Sequence, residues 1–189
     1  WMGGIGKTSR RFWNRLRAAG VDPAYAAVDA AMGRLGAGFR WHAERGGKPF
    51  FAGEVEPCIN GGTLALGGYF RRPDETLARR LLDEQLSDGG WNCDAPKSTR
   101  SSFHSTICVL EGLREHERAV GARPELTLAC RRGEAYLLER GLFRRRSTGV
   151  VALPAFLTFS FPTRYHYDVL RALDYLRSAG VTPDERVAD

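Results

Sequence analysis

Residues 81–118, LLDEQLSDGGWNCDAPKSTRSSFHSTICVLEGLREHER, contain the features that decide the fold. A helix with core-facing leucines ends in this stretch, before a loop that contains Gly89 and Gly90. A new apolar pattern with helical spacing follows Ser102, and serine is a common cap at the amino terminus of a helix. The stretch therefore predicts a helix, a long Gly-containing loop and a second helix.

The same alternation of helix and turn extends in both directions. Helices are predicted near residues 8–19, 22–35, 57–70, 74–84, 102–118, 124–142 and 163–179. The second, fourth and sixth helices open with a proline beside an acidic residue after a short turn, whereas the others follow long loops. No segment alternates convincingly as a strand. The pattern predicts an all-α fold built from inner/outer helical hairpin repeats.

The third predicted helix differs from its neighbours in composition. Residues 58–70, CINGGTLALGGYF, are almost all apolar or small. A helix without a polar face is predicted to be buried on all sides.

Composition and charge exclude several classes of protein. The chain has 189 residues, a net charge of +6 and four cysteines. It contains no apolar run long enough to span a bilayer, and the first residues are polar and basic, so we expect a cytoplasmic protein. Four cysteines in a chain of this length are not a disulfide framework. The arginines do not interleave with aromatics, so nucleic acid is not an expected partner, whereas a peripheral membrane contact is compatible with the charge.

Two motifs in the opening stretch carry a family resemblance. Gln85, Gly89 and Trp91 fit the Gln-x-x-x-Gly-x-Trp (QW) repeat motif of squalene cyclases. The segment GGWNCDAPKSTRSSFHSTICVLEGL is similar to the part of protein prenyltransferase β subunits that leads into a His-bearing inner helix. The chain thus resembles the terpenoid cyclase/prenyltransferase α/α-toroid superfamily, and most closely bacterial prenyltransferase and squalene-oxidase-repeat proteins.

The resemblance implies a particular architecture. It predicts a single α/α-toroid domain over residues 1–189 that is partial, because a closed ring would need more hairpins than this chain supplies. We therefore expect a fragment that lacks one or more terminal repeats.

Several residues are candidate metal ligands. By resemblance, His104 occupies the place of a zinc-binding histidine, and Glu56-Pro57-Cys58 the place of the Asp-x-Cys ligand pair. Cys93 lies in the loop that enters the same inner helix, and thiolate with imidazole suits zinc. The prediction is a zinc site of Cys58, Cys93 and His104, with Glu56 or, alternatively, Asp94 as the fourth ligand. The alternatives are that the cysteines are buried small side chains and that His104 is an acid/base or capping residue.

Further residues are predicted to surround a central cavity. His104, His166 and Asp168 are candidate catalytic residues, although Asp168 is equally suited to cap the last helix. The predicted walls of the substrate pocket are aromatic, since aromatic faces stabilise cations; they are Trp91, Phe103, Tyr165 and Tyr167. Cys108 and Cys130 are expected to be structural, and His42 and His116 to be solvated. The phenylalanines at 156, 159 and 161 form either a lipid-entry surface or a packed loop.

The implied function is to bind, and to transform, an apolar isoprenoid-type substrate in the cavity. The sequence lacks the Asp-rich acid motif of squalene–hopene cyclases and an Asp-Asp-x-x-Asp motif for magnesium diphosphate. The alternative hypothesis is therefore a non-catalytic α/α scaffold that binds a ligand or a protein.

Overall fold

A computed structural model describes residues 3–160, 163, 166–182 and 185–187, and for residues 3–9 it describes the backbone alone. These residues form seven α-helices and no β-strand, which confirms the predicted all-α class. The helices are α1 (Gly3–Ala18), α2 (Ala26–Gly38), α3 (Pro57–Tyr69), α4 (Glu75–Asp83), α5 (Phe103–Val120), α6 (Pro124–Leu138) and α7 (Val169–Ala179). None of them is long and apolar enough to cross a membrane.

Several predicted helix boundaries were wrong. α1 begins at Gly3 and not near residue 8, and α2 spans Ala26–Gly38 and not 22–35, since the Asp22 side chain first accepts from the Ala24 N–H in a turn. α7 begins at Val169 and not near residue 163, because the extended Asp168 accepts a hydrogen bond from the Arg171 N–H and so forms the amino-terminal cap. α6 ends at Leu138 and not at Leu142, since Gly141 and Leu142 adopt positive φ angles of 50° and 64° that no α-helix contains.

The buried helix α3 lies against α5 at very short range. As predicted, nearly all of α3 is buried. A Cβ atom at Gly61 would collide with the carbonyl oxygen of Cys108, and one at Gly68 would lie 2.6 Å from the carbonyl oxygen of Glu115. On the other side, a Cβ at Gly112 would collide with the Gly61 carbonyl. The glycines therefore let the two backbones approach and fix the register of α3 on α5.

Helices α3 and α5 form the centre of the packing. Helices α1, α3, α5 and α7 contact one another in that order, α4 packs against α3 and α5, and α6 packs against α4 and α5. One core cluster joins α4, α5, α6 and α7, and a second joins α2 and α3. The hairpin repeats, the partial toroid and the missing terminal repeats stay predictions.

The residues of the QW motif connect two outer helices with the loop that enters α5. The Gln85 amide donates to the carbonyl oxygens of Gly89 and Ala129, at 2.7 and 2.9 Å. The Trp91 indole is fully buried and donates to the Leu81 carbonyl oxygen at 2.7 Å. These bonds fix the loop that carries Cys93.

Candidate metal centre

Two separate segments of the chain deliver the candidate ligands to one place. Glu56 is the residue before α3, and Cys58 lies in the first turn of that helix behind Pro57, which favours a helix start. Cys93 follows the buried Trp91 in the loop before α5, and its backbone N–H donates to the Ser105 hydroxyl. The tight packing of α3 on α5 therefore places the amino ends of both helices side by side.

Glu56, Cys58 and Cys93 form a compact group. One carboxylate oxygen and the two sulfur atoms all lie within 4.8 Å of one another, and all three residues are partly buried. The Cys58 sulfur lies 3.8 Å from Glu56 Oε2, and the Cys93 sulfur lies 3.2 Å from the Ser105 hydroxyl. In the part of the chain that the structure describes, no other set of three His, Cys, Asp or Glu side chains is close enough to share a metal ion.

The pKa values of the two thiols shift in opposite directions. Hydrogen bonds from Cys58 and from the Ser105 hydroxyl together lower the pKa of Cys93 to about 7 against the effect of burial. The same hydrogen bond to Cys93, together with burial, raises the pKa of Cys58. Cys93 therefore loses its proton more readily than Cys58 does.

Charged side chains surround the group. The Arg45 guanidinium pairs with Glu56 Oε1 and lies 3.4 Å from Glu54, which is buried and has one oxygen without a hydrogen-bond partner. Burial and the nearby Glu56 charge raise the pKa of Glu54. Arg10 of α1 lies over Gly62 of α3, and burial lowers its pKa. The arrangement holds cations next to a cluster of acids and thiols.

His104, another predicted ligand, does not belong to the group. Its ring lies among aromatic side chains, 5.5 Å from the Phe156 ring and 6.2 Å from the Tyr167 ring. Burial and the positive charge of Arg171 lower the pKa of His104, so the imidazole is kept neutral. Adjacent residues on α5 therefore serve two environments, with Ser105 at the sulfur cluster and His104 at the aromatic cluster.

Asp168, a predicted catalytic residue, acts as a cap in this structure. One carboxylate oxygen accepts from the Arg171 N–H at 2.8 Å and the other accepts from the Ser160 N–H at 3.0 Å. His166, the neighbouring candidate, is exposed, and its carbonyl oxygen accepts from the Arg171 guanidinium. These contacts fix the start of α7.

The predicted pocket aromatics lie in the core. Trp91, Phe103 and Tyr167 are 0%, 8% and 2% exposed. Phe103 and Tyr167 pack with Phe156, and the Tyr167 hydroxyl donates to a main-chain carbonyl oxygen. Tyr165 falls outside the described residues.

Several features of this region were not predicted. Arg45, Glu54 and Ser105 were missed, although the alternation Glu54-x-Glu56 signals two polar side chains on one side of the extended segment before α3. His116 was predicted to be solvated and this was wrong, since it is fully buried on α5. It follows Gly112 and Leu113 by four and three residues, and that spacing places it on the same buried face.

Comparison of the chain with family models, with curated proteins and with solved structures found no match. The geometry of the molecule and the motifs of its sequence therefore carry the functional conclusion.

Proposed function

We propose that the chain is a zinc-binding α/α-repeat protein whose metal centre is formed by Glu56, Cys58 and Cys93. The observation that carries the proposal is that three ligand atoms from segments 35 residues apart lie within 4.8 Å of one another. Sulfur and carboxylate oxygen are ligands that zinc accepts in proteins.

The spacing and orientation of the ligands fit the ion. Ligand atoms at zinc bond lengths of about 2.0–2.3 Å lie roughly 3.3–3.8 Å apart around a tetrahedron, so small side-chain rotations suffice. Glu56 turns one oxygen to Arg45 and the other to Cys58. Arg45 therefore acts as the partner that orients a ligating carboxylate, a role that typically strengthens metal binding.

The balance of charge also fits a divalent cation. Two thiolates and one carboxylate carry three negative charges, which zinc and the Arg45 guanidinium together offset. Zinc would keep both thiols deprotonated, and three protein ligands leave a fourth position open. When bound there, zinc supplies Lewis acidity to a water or a substrate thiol.

The residues of the chain would divide the remaining tasks. Cys58, Cys93 and Glu56 would hold the ion, Arg45 would fix Glu56, and the Ser105 hydroxyl would hold the Cys93 sulfur in place. By the family resemblance, the substrate would be an isoprenoid-type molecule, and the reaction a prenyl transfer or a terpenoid cyclisation.

Metal analysis of the purified chain tests the zinc centre. We expect one zinc per chain in the wild type and near-complete loss in Cys58→Ala and in Cys93→Ala. Cys130→Ala is the matched control, because Cys130 is a buried cysteine of α6 that lies outside the group. Circular dichroism shows whether each variant keeps its helices. Metal-free wild type, or equal zinc in all three variants, would contradict the proposal.

A second candidate function is a non-catalytic scaffold. The burial of Trp91, Phe103 and Tyr167 favours it, because the aromatic side chains expected to line an open pocket are packed together instead. Titration with farnesol, followed by tryptophan fluorescence, separates the two. Saturable binding supports the isoprenoid function, and its absence in a zinc-loaded protein supports the scaffold.

A further inference from the structure

Residues 143–160, which we name the basic–apolar loop, present exposed apolar side chains beside arginines. Val150, Leu153, Leu157 and Phe159 are 55%, 48%, 49% and 63% exposed. Four large apolar side chains exposed within ten residues are unusual for a surface that meets only water.

The loop is attached to the core at Phe156 and Ser160, while these apolar side chains are exposed. Phe156 is its buried anchor, 3% exposed, with its ring 5.2 Å from that of Phe103 and 4.9 Å from that of Tyr167. The far end of the loop is fixed by the hydrogen bond from the Ser160 N–H to Asp168. Leu157 and Phe159 are therefore exposed on a loop that Phe156 and Ser160 attach to the rest of the protein.

Main-chain bonds bring the arginines next to the apolar side chains. The Arg145 N–H donates to the Val150 carbonyl oxygen at 2.8 Å, and Arg144 pairs with Val151 in an isolated antiparallel bridge. Arg145 and Arg146 are exposed. The basic triplet and the apolar segment thus belong to one surface.

Arginines outnumber acidic residues around this surface, where Glu139 at the end of α6 pairs with Arg146 at 3.2 Å. The sequence from residue 140 to residue 167 contains five arginines and no aspartate or glutamate. This stretch therefore carries an excess of positive charge where the apolar side chains are exposed.

We propose that the basic–apolar loop docks the protein on an anionic lipid surface. The apolar side chains would enter the interface between headgroups and acyl chains, and Arg145 and Arg146 would contact lipid phosphates. Exposed leucine and phenylalanine favour lipid over nucleic acid, which would offer phosphates without an apolar layer. The proposal is independent of the metal centre.

Vesicle sedimentation with the full chain tests the proposal. We expect binding to vesicles of equal parts phosphatidylcholine and phosphatidylglycerol, weak binding to phosphatidylcholine alone, and release from the mixed vesicles at high salt. Each arginine near such a surface contributes about fivefold, so Arg145→Glu with Arg146→Glu lowers partitioning about 25-fold or more. Leu157→Ser with Phe159→Ser lowers it about tenfold or more.

Matched exposed residues elsewhere provide the controls. Leu128→Ser on α6 and Arg177→Glu on α7 alter side chains that are 61% and 81% exposed, and we expect each to change partitioning less than twofold. Equal binding to both kinds of vesicle, no binding, equal losses in the control variants, or binding to duplex DNA in place of vesicles would each overturn the proposal.

Discussion

The two sides of the amino end of α5 carry opposite chemistry. On one side, Ser105 contacts Cys93 in a cluster of sulfur, carboxylate and guanidinium groups. On the other, Phe103 and His104 lie among aromatic rings that anchor the basic–apolar loop. Because neighbouring residues on a helix point about 100° apart, consecutive positions can serve a polar centre and an apolar core. A histidine next to a metal-site motif in the sequence therefore reaches the metal only if it lies on the helix face that borders the site.

Changes in the aromatic cluster around Phe156 should lower the stability of the fold and leave zinc binding unchanged. Phe156→Ala removes a buried ring, and we expect a loss of about 3–5 kcal/mol in the free energy of unfolding. Urea denaturation measures it, with zinc content unchanged in the folded fraction. Phe159→Ala is the matched control in the same loop; as its side chain is 63% exposed, a change within about 0.5 kcal/mol is expected. Equal losses in both variants would show that the loop is not anchored by Phe156.

Changes near the group of Glu56, Cys58 and Cys93 should alter the affinity for zinc. Arg45→Met removes the cation that orients Glu56, and such partners typically contribute about 10- to 100-fold in affinity. Competition with a chromophoric zinc chelator measures the change. Arg34→Met, an exposed arginine of α2, should leave the affinity as it is. An unchanged affinity in Arg45→Met would remove Arg45 from the account of the centre.

The carboxyl end of α5 supplies a third environment, since His116 is buried with no hydrogen-bond partner for either ring nitrogen. The groups that face it are Glu75 at 3.6 Å, Asp74 and Arg123, and burial lowers its pKa despite the carboxylates. The folded protein therefore binds the proton less readily than the unfolded chain. The stability that the neutral His116 side chain contributes is complete above the unfolded pKa of about 6.5, and it is lost as the pH falls below that value.

Measuring the free energy of unfolding at a series of pH values tests this expected loss of stability at low pH. We expect the free energy of unfolding to fall by up to about 1.4 kcal/mol per pH unit below about pH 6.5, and the slope to flatten in His116→Leu. A slope that is the same in the variant would show that His116 does not carry the pH dependence.

The smallest expected effect tests the cap at Asp168. Asp168→Ala removes the acceptors for both the Arg171 and the Ser160 N–H groups, whereas Asp168→Asn keeps one acceptor oxygen for the cap and loses the other. We expect a loss of about 1 kcal/mol of unfolding free energy or more for Asp168→Ala and a smaller loss for Asp168→Asn, because asparagine caps helices as well as aspartate does. Thermal unfolding of both variants measures the difference. If both lost the same amount, the contact with Ser160 and not the cap would determine the effect.

Much of the fold follows from local chemistry. Proline and glycine positions predicted where most helices begin and end, and the small residues of 58–70 predicted a fully buried α3. The start of α7 was missed because Asp168 competes for main-chain N–H groups, and this favours a cap over a helical interior.

Only part of the candidate site could be predicted, because some of its contacts depend on how the helices pack. Cys58 and Cys93 precede or open the two helices that glycines bring together, so their approach follows from the sequence pattern. The direction in which His104 points depends on how α5 is rotated in its contacts with α3, α6 and α7, and no local pattern fixes that rotation. Arg45 lies in a short turn far from any motif, and its pairing with Glu56 is a tertiary contact.

X-ray absorption spectroscopy of the zinc-loaded chain identifies the side chains that hold the metal. We expect two sulfur ligands at about 2.3 Å, oxygen ligands at about 2.0–2.2 Å, and no imidazole scattering. The spectrum should be the same in His104→Ala. Imidazole in the coordination shell, its loss in His104→Ala, or fewer than two sulfur ligands would contradict a centre formed by Glu56, Cys58 and Cys93.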